Sequence, residues 1–265
     1  MALNFRQSEI LEIAKVEGRV AVEDLSRRFG VSVQTIRRDL SDLAEAGKLD
    51  RVHGGAVIPA GVTNIEYDQR RSMNHAAKAD IARRCAQEIP DNSSVFLHIG
   101  TTAEAVAREL LHHRNLTVMT SNLNAVTTLL SNDSCEIIVA GGALRRNDNA
   151  LVGELTVRMV EEFKMDFAVI GTSALDQDGD LLDYDLQEVR VSRAIIGRSR
   201  RVLLVADQSK FERSAPARVA SLREVWALVT DRAPEPQLAR LCAEWGTRIL
   251  LPGQERAEPA APGNN

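Results

Sequence analysis

The stretch from Ser32 to Ala56, SVQTIRRDLSDLAEAGKLDRVHGGA, carries the pattern that decides the first part of the fold. Apolar residues recur in it at helical spacing and predict one buried stripe: Ile36, Leu40 and Leu43. Ser32 stands where an N-cap residue is expected, and Gly47 stands where the helix is expected to end. The stretch therefore predicts an amphipathic helix over residues 33–46.

The polar face of this helix carries side chains that suit the major groove of DNA. Gln34 and Arg38 can each form a bidentate pair with a base edge, glutamine with adenine and arginine with guanine. Thr35 and Arg37 flank these two, where they would bind phosphate and fix the register on the duplex. An ordinary surface helix of a bundle is the alternative, and this helix alone does not exclude it.

The residues on the N-terminal side favour DNA binding over that alternative. Residues 22–30 predict a short helix that ends in glycine, and a turn of about four residues then leads to residue 33. This spacing is that of a helix-turn-helix motif. A supporting helix is predicted over residues 5–16, and a short strand is predicted over residues 20–22.

The C-terminal side predicts a small hairpin, or wing. The pair Gly54-Gly55 separates two short apolar runs, as a hairpin turn does. The wing would bring further side chains to the DNA backbone: Lys48, Arg51 and His53. Together these elements predict a winged helix-turn-helix domain over residues 1–57, with Ser32 at the start of the reading helix among its expected DNA contacts.

A second, larger domain is predicted after a linker over residues 58–75. The segment 59–64 has linker composition, although a helical pattern extends over residues 66–89. From residue 93 onwards, strand and helix patterns alternate, and the strands are continuously apolar. This alternation predicts an α/β domain over residues 76–253, with a mostly parallel sheet covered on both faces. The Pro-, Ala- and Gly-rich residues 254–265 predict a disordered tail.

Small and hydroxyl-bearing residues follow several of these strands, at the edge where open parallel sheets bind ligands. They are Gly100, Thr101, Thr102, Asn122, Gly141, Gly142, Gly171, Asp207 and Lys210. A Gly-Thr-Thr turn at a helix start offers free N–H groups and a favourable dipole to an anion, typically phosphate. Each residue alone has an ordinary structural explanation. Their recurrence at one edge predicts a site for a small, polyhydroxylated and phosphorylated ligand.

The chain resembles the DeoR family of bacterial transcriptional repressors. The resemblance rests on RRDL at residues 37–40, HGGA at residues 53–56, IGTTAEAVA at residues 99–107 and EVR at residues 188–190. It implies a DNA-binding domain followed by a sensor domain related in fold to sugar-phosphate isomerases. It also implies that a small phosphorylated effector, such as glycerol 3-phosphate, relieves binding to operator DNA. Glu188 and Arg190 then join the expected effector-binding residues.

Two positions depart from the family pattern. The family usually has aspartate two residues before the Gly-Thr-Thr turn, where this chain has His98, and a basic residue where it has Ser192. His98 fits either a satisfied core histidine or an altered ligand contact. Its charge, unlike that of aspartate, could follow pH near neutrality.

Charge and cysteine content set further expectations. The chain has 265 residues and a formal charge of −4, so we expect DNA binding to depend on a local basic cluster and on two or more copies, as a homodimer or homotetramer. The cluster comprises Arg27, Arg28, Arg37, Arg38, Lys48 and Arg51. The widely spaced Cys85, Cys135 and Cys242 predict buried free thiols in a reducing cytoplasm. Neither a signal peptide nor an apolar run of about 18 residues is present, so we expect a cytoplasmic protein without a membrane partner. We also expect no cofactor.

An enzyme is the rival hypothesis, namely a sugar-phosphate isomerase or hydrolase with a DNA-binding appendage. The same phosphate turn supports it, together with carboxylates that could act as a general base: Asp176, Asp178, Asp180, Asp183, Asp185 and Glu188. Most of these lie in a polar, Gly-containing segment that predicts a loop, and no second catalytic group accompanies them. The sequence therefore favours the repressor.

Overall fold

A computed structural model describes residues 4–17, 19–52, 54–57 and 67–254 of the chain. His53, which was predicted to contact DNA, lies outside the described residues, as does the predicted tail from residue 255 onwards.

The first domain has the predicted order of elements. They are α1 (Phe5–Glu17), β1 (Arg19–Ala21), α2 (Val22–Phe29), α3 (Val33–Glu45), β2 (Asp50–Val52) and β3 (Gly55–Val57). The strands pair antiparallel in the order β1-β3-β2, so the wing is part of a three-stranded sheet. Gly55 permits this pairing, because a Cβ atom there would lie 2.0 Å from the Val20 carbonyl oxygen. The winged helix-turn-helix is thus confirmed.

The predicted apolar stripe holds α3 in this domain. Ile36, Leu40 and Leu43 are fully buried in one core with residues of α1 and α2. The backbone of Gly30 has φ 63°, a left-handed conformation that ends α2 and turns the chain toward α3. The Ser32 hydroxyl then accepts the Thr35 N–H at 3.2 Å and caps the start of α3.

Two helices begin within residues 58–75, where the sequence predicted a linker; residues 58–66 of that segment lie outside the described residues. They are α4 (Tyr67–Ser72) and α5 (His75–Ala86), and they replace the single helix predicted over residues 66–89. The helix is interrupted because Asn74 has φ 52°, a left-handed conformation that a continuous α-helix does not accommodate. Part of the predicted linker is therefore ordered structure.

Seven parallel strands form the central sheet of the second domain. They are β4 (Ser94–Leu97), β5 (Thr117–Thr120), β6 (Glu136–Val139), β9 (Met165–Ile170), β12 (Ser199–Val205), β14 (Ala227–Val229) and β15 (Arg248–Leu250). Their order is β15-β14-β12-β9-β4-β5-β6, and every pairing is parallel. The order reverses between β4 and β9, because β5 and β6 add on one side of β4 and the later strands on the other. Sheets of this kind bind ligands at the carboxyl ends of the strands beside such a reversal.

Helices cover both faces of this sheet, as predicted. On one face lie α5, α6 (Thr101–Glu109) and α7 (Leu123–Leu129). On the other lie α8 (Glu154–Glu161), α9 (Leu186–Gly197) and α10 (Pro236–Trp245). Successive residues of a strand point to opposite faces of the sheet, so Val95 and Leu97 pack on the first face and Phe96 packs on the second.

Two small antiparallel sheets extend the second domain and were not predicted. One pairs β7 (Ala143–Arg145) with β8 (Ala150–Val152), and the other orders β10 (Ala174–Leu175), β11 (Asp180–Asp183) and β13 (Ala217–Ser221) as β10-β11-β13. The prediction of a loop over the acidic segment was therefore wrong at β11, which pairs with strands on both sides.

Two further expectations concern cysteines and membranes. Cys85 and Cys242 are buried, but the prediction of burial was wrong for Cys135, which is partly exposed because it directly precedes the edge strand β6. Throughout the described ranges, no helix has the length and apolar character needed to cross a bilayer.

Candidate functional site

The outer face of α3 presents the side chains that were predicted to read base edges. Gln34, Arg37 and Arg38 are exposed, and Thr35 is partly exposed. Ser32 shapes the start of this face, because its hydroxyl lies 2.9 Å from Thr35 Oγ1 in addition to capping the helix. Lys48, beyond the C-terminal end of α3, is also exposed.

Arg51 on the wing binds α3 as well as facing solvent. Its Nη1 donates to the Arg37 carbonyl at 3.2 Å and to Ser41 Oγ at 2.6 Å. These contacts set the wing against the exposed face of α3. Sequence reasoning predicted a DNA contact for Arg51 and missed this structural role.

Asp39, within the RRDL motif, faces the interior of the first domain. It is 4% exposed, and Arg6 Nε of α1 donates to its Oδ2 at 2.5 Å. A second bond between the same helices runs from Gln7 Nε2 to Asp42 Oδ2 at 3.1 Å. Helix α1 therefore holds α3 by polar contacts as well as by the apolar core. An acidic residue beside the apolar stripe was the sequence signal for this role.

A pocket lies at the carboxyl ends of β4 and β9, where the strand order reverses. Several predicted effector residues line it: Gly100, Thr101, Thr102, Gly171, Glu188 and Lys210. Asp183 of β11 also lines it, and so does Arg70 of α4, to which the sequence did not point as a ligand contact. This strand-end pocket encloses only about 30 Å³, room for a few water molecules.

The start of α6 forms one wall of the strand-end pocket. Gly100 has φ 123° and ψ 152°, a conformation restricted essentially to glycine, and it leads the chain from β4 into the helix. Within the described part of the chain, no side chain caps α6. The N–H groups of its first turn are thus suited to bind an anion.

Cationic side chains gather around this wall: Arg70, Lys78, Lys210 and Arg213. Burial lowers the pKa of Lys210 to about 7, and the three neighbouring cations add to the shift. Burial also lowers the pKa of Lys78 to about 8. A bound dianion would relieve this crowding of like charges. Only Lys210 among these cations was predicted.

Asp207 lies behind the cations and does not line the strand-end pocket. Its Oδ1 accepts from Asn74 Nδ2 at 2.8 Å and from Ser209 Oγ at 2.6 Å. Burial alone would raise the pKa of Asp207, but Lys210 and the Ser209 hydrogen bond hold it below the ordinary value. Asp207 therefore orders the loop that carries Lys210 and balances its charge.

Asn122 does not line the strand-end pocket, and its side chain bonds neighbouring groups of the same domain. Its Oδ1 accepts from the backbone N–H groups of Asn124 at 3.0 Å and Ala125 at 3.3 Å, so it caps α7. Its Nδ2 donates to Glu104 Oε1 at 3.3 Å. These buried groups occupy the amide in the described structure, and a direct contact of Asn122 with an effector stays a prediction.

Three further predicted residues lie outside the strand-end pocket. Gly142 lies close to α8, since a Cβ atom there would lie 2.1 Å from Thr156 Oγ1, and the Gly141 carbonyl accepts from the same hydroxyl at 2.6 Å. Arg190 is exposed on the outer side of α9, in a groove that Glu161 and Arg193 also line. It is two positions from Glu188, and residues so spaced face opposite sides of a helix.

The two positions that depart from the family pattern contact each other. His98 is fully buried, and its Nε2 lies 3.2 Å from Ser192 Oγ. Burial lowers the pKa of His98 to about 4. The expectation that its charge could follow pH near neutrality was therefore wrong, because the imidazole stays neutral there. His98 is a core residue beneath the pocket.

The carboxylates of the acidic segment make structural contacts, although Asp183 and Glu188 also line the strand-end pocket. Asp176 Oδ1 accepts the N–H groups of Asp178 and Asp180 within a turn. Arg145 binds both Asp185, at 2.6 Å, and Glu188, at 2.8 Å. Asp183 accepts from Ser173 Oγ at 3.0 Å, and burial raises its pKa to about 6.

A larger neighbouring cleft has the wrong charge for a phosphate. It encloses about 390 Å³ between β10 and α10, beside Phe211. Its lining includes Asp176 and Glu235 and no lysine or arginine. The strand-end pocket is therefore the better candidate for an anionic ligand.

The fold and these two sites define a class of protein, a DNA-binding regulator with an attached ligand-sensing domain. Residues 6–61 match the DeoR-like helix-turn-helix domain, and residues 73–232 match the DeoR C terminal sensor domain. The chain belongs to the DeoR family of DNA-binding transcriptional repressors.

Relatives with repressor names match nearly the whole chain. It is 45% identical over 246 residues to the glycerol-3-phosphate regulon repressor of Escherichia coli (strain K12), which covers 93% of this chain and 98% of that protein. The repressor of the same name from Haemophilus influenzae is 45% identical over 251 residues, with 95% and 98% covered.

A likeness to an isomerase is much weaker. The ribose 5-phosphate isomerase A of Methanocaldococcus jannaschii shares 14% identity and a TM-score of 0.39 over 52% of this chain and 55% of that chain. So weak a likeness carries no argument about activity. Since the relatives with high identity are repressors, we set the enzyme hypothesis aside.

Proposed function

We propose that a small phosphorylated polyol or sugar relieves this repressor from its operator, and that glycerol 3-phosphate is the effector. The observation that carries the proposal is the cluster of buried and partly buried cations beside an uncapped helix start at the strand reversal. Phosphate is a common ligand that pairs with such cations and also accepts hydrogen bonds from the N–H groups of a helix start. The names of the two relatives agree with this choice of effector.

The phosphate is bound in this proposal by the first turn of α6 and by Lys210. Thr101 and Thr102 would add hydroxyl donors, and Gly171 leaves space for the ligand beside them. Glu188, on the pocket wall, would accept a hydrogen bond from a hydroxyl of the polyol.

The exposed face of α3 reads the operator in this proposal. Gln34 and Arg38 contact bases, while Thr35, Arg37 and Lys48 hold the DNA backbone. Because the chain carries a net charge of −4, we propose that two or more copies bind one operator. The cytoplasm, where such operators lie, is the proposed location.

Relief of repression requires that the effector prefers the form of the protein that does not bind DNA. A hundredfold loss of operator affinity corresponds to about 2.7 kcal/mol of differential effector binding. This sets the scale against which the variants below are measured.

A gel shift on the DNA upstream of the protein's own gene tests the proposal, with titration of glycerol 3-phosphate and of several pentose phosphates. We expect release by glycerol 3-phosphate in the wild type. Lys210→Met should bind the operator but resist release, because the pocket loses a cation, whereas Lys164→Met, an exposed lysine of the same domain, should behave as the wild type. Release of Lys210→Met at wild-type effector concentration would contradict the assigned site.

A further inference from the structure

Helix α4 lies in the segment between the residues that match the two family domains, 6–61 and 73–232. It nevertheless forms a wall of the strand-end pocket through Arg70. Arg70 Nε is buried and has no hydrogen-bond partner among the described residues. An unpartnered buried guanidinium nitrogen is costly unless a ligand completes it.

Helix α4 is held on the sensor domain by contacts around the same pocket. Tyr67 OH donates to both carboxylate oxygens of Glu104, at 3.0 and 2.8 Å. The Arg70 carbonyl accepts from Lys78 Nζ and, at 3.5 Å, from Thr101 Oγ1. Two donors suited to a phosphate, Lys78 and Thr101, therefore hold α4 in the described conformation.

The size of the pocket indicates what an effector must move. About 30 Å³ is too small for a phosphorylated polyol, which has many heavy atoms. Most of the other walls are strand ends and helices of the parallel sheet, which lie in closely packed cores. Helix α4 stands outside that sheet, so its displacement would enlarge the pocket and leave the packing of the two sheet faces intact.

Displacement of α4 would be transmitted to the DNA-binding domain through helices that are in contact. Helix α4 packs against α1, and α1 packs against α3. The Arg6–Asp39 contact joins these last two helices. A path of packed elements thus runs from the pocket to the face that reads DNA.

We propose that Arg70 binds the phosphate of the effector and that α4 transmits effector binding to the DNA-binding domain. The inference rests on the proposed function, because it assumes a phosphorylated effector in this pocket. The phosphate competes with the Arg70 carbonyl for Lys78 and Thr101, which loosens α4, while the guanidinium moves onto the phosphate. Movement of α4 then shifts α1 and weakens operator binding.

The first test measures glycerol 3-phosphate binding to the full chain by calorimetry. Arg70→Ala should lower the affinity at least about tenfold, as expected for a lost charge-assisted hydrogen bond. Arg71→Ala is the matched control, because Arg71 is the next residue of α4 and is exposed. If Lys210→Met loses binding but Arg70→Ala does not, the proposed function stands and the role of Arg70 is overturned. If the wild type binds none of the sugar phosphates, the proposed function fails as well.

The second test needs no effector. Tyr67→Phe removes the hydrogen bonds that hold α4 to Glu104 and changes no charge. We expect it to weaken operator binding several-fold without ligand, while circular dichroism shows that the protein is folded at the assay temperature. Operator affinity equal to that of the wild type would overturn α4 as the transmitting element, even if Arg70 binds the effector.

Discussion

The lowered pKa of Lys210 makes effector binding depend on pH in a direction that can be stated in advance. Burial and neighbouring cations lower this pKa from 10.5 to about 7. A bound phosphate would raise it again, because a dianion stabilises the ammonium form. Binding therefore takes up a proton above pH 7, and the affinity must fall as the pH rises.

The size of this effect follows from the two pKa values. In the ligand-free protein Lys210 is protonated in about half of the molecules at pH 7 and in about one in a hundred at pH 9. The affinity should thus fall about fiftyfold between pH 7 and 9 if phosphate restores the ordinary pKa, and about tenfold if it restores part of it. The effector does not add to this slope, since its second phosphate pKa lies near about 6.

Calorimetry with glycerol 3-phosphate at several pH values measures the slope, and Lys210→Arg is the control. A guanidinium keeps its charge throughout this range, so the variant should retain only the smaller dependence that comes from Lys78, whose pKa is about 8. Equal slopes for the wild type and Lys210→Arg, or a flat wild-type profile, would refute the assignment of Lys210 to the phosphate.

Three other predictions concern DNA binding and stability. Arg38→Ala should weaken operator binding by about 1–3 kcal/mol and reduce the preference over random DNA; equal losses on both DNAs in a gel shift would exclude base reading. Asp39→Ala should lower the unfolding free energy of the first domain by about 1.5–3 kcal/mol in urea, because Arg6 loses its buried partner; an unchanged midpoint would show the contact to be dispensable. His98 becomes protonated below about pH 6.5 in the unfolded chain but only near pH 4 in the folded chain. Acidification from pH 6.5 to 4 should therefore lower the unfolding free energy of the wild type by about 3 kcal/mol. In His98→Gln this part of the loss in unfolding free energy should vanish. Identical plots of unfolding free energy against pH for the wild type and the variant would contradict the prediction.

The architecture could be predicted largely because its signals are local. The apolar stripe of α3 and the continuously apolar strands each specify an element from neighbouring residues alone. The small strands of the antiparallel sheets escaped prediction because they have only two to five residues, as in β10 (Ala174–Leu175) and β13 (Ala217–Ser221). Such short strands are formed by pairing with distant partners, which periodicity does not reveal.

The pocket was predicted only in part, because the spacing of residues along the sequence does not show which distant residues lie close together in the fold. Gly100 and Lys210 could be expected at one sheet edge from the strand-end rule alone. Arg70 could not, because α4 reaches the pocket from a segment with no strand or motif of its own. Conversely, Gly142 follows a strand but serves close packing against Thr156. The rule locates an edge and leaves open which of its residues face the ligand.

His98 and Ser192 stand 94 positions apart, yet their side chains meet beneath the pocket. The two positions at which the resemblance implies an acid and a base are thus in contact, and in this chain they hold an imidazole and a hydroxyl. Installing aspartate at position 98 alone would bury a carboxylate opposite a hydroxyl. A substitution at either position therefore changes the surroundings of the other, so the two should be exchanged together in any redesign of this part of the core.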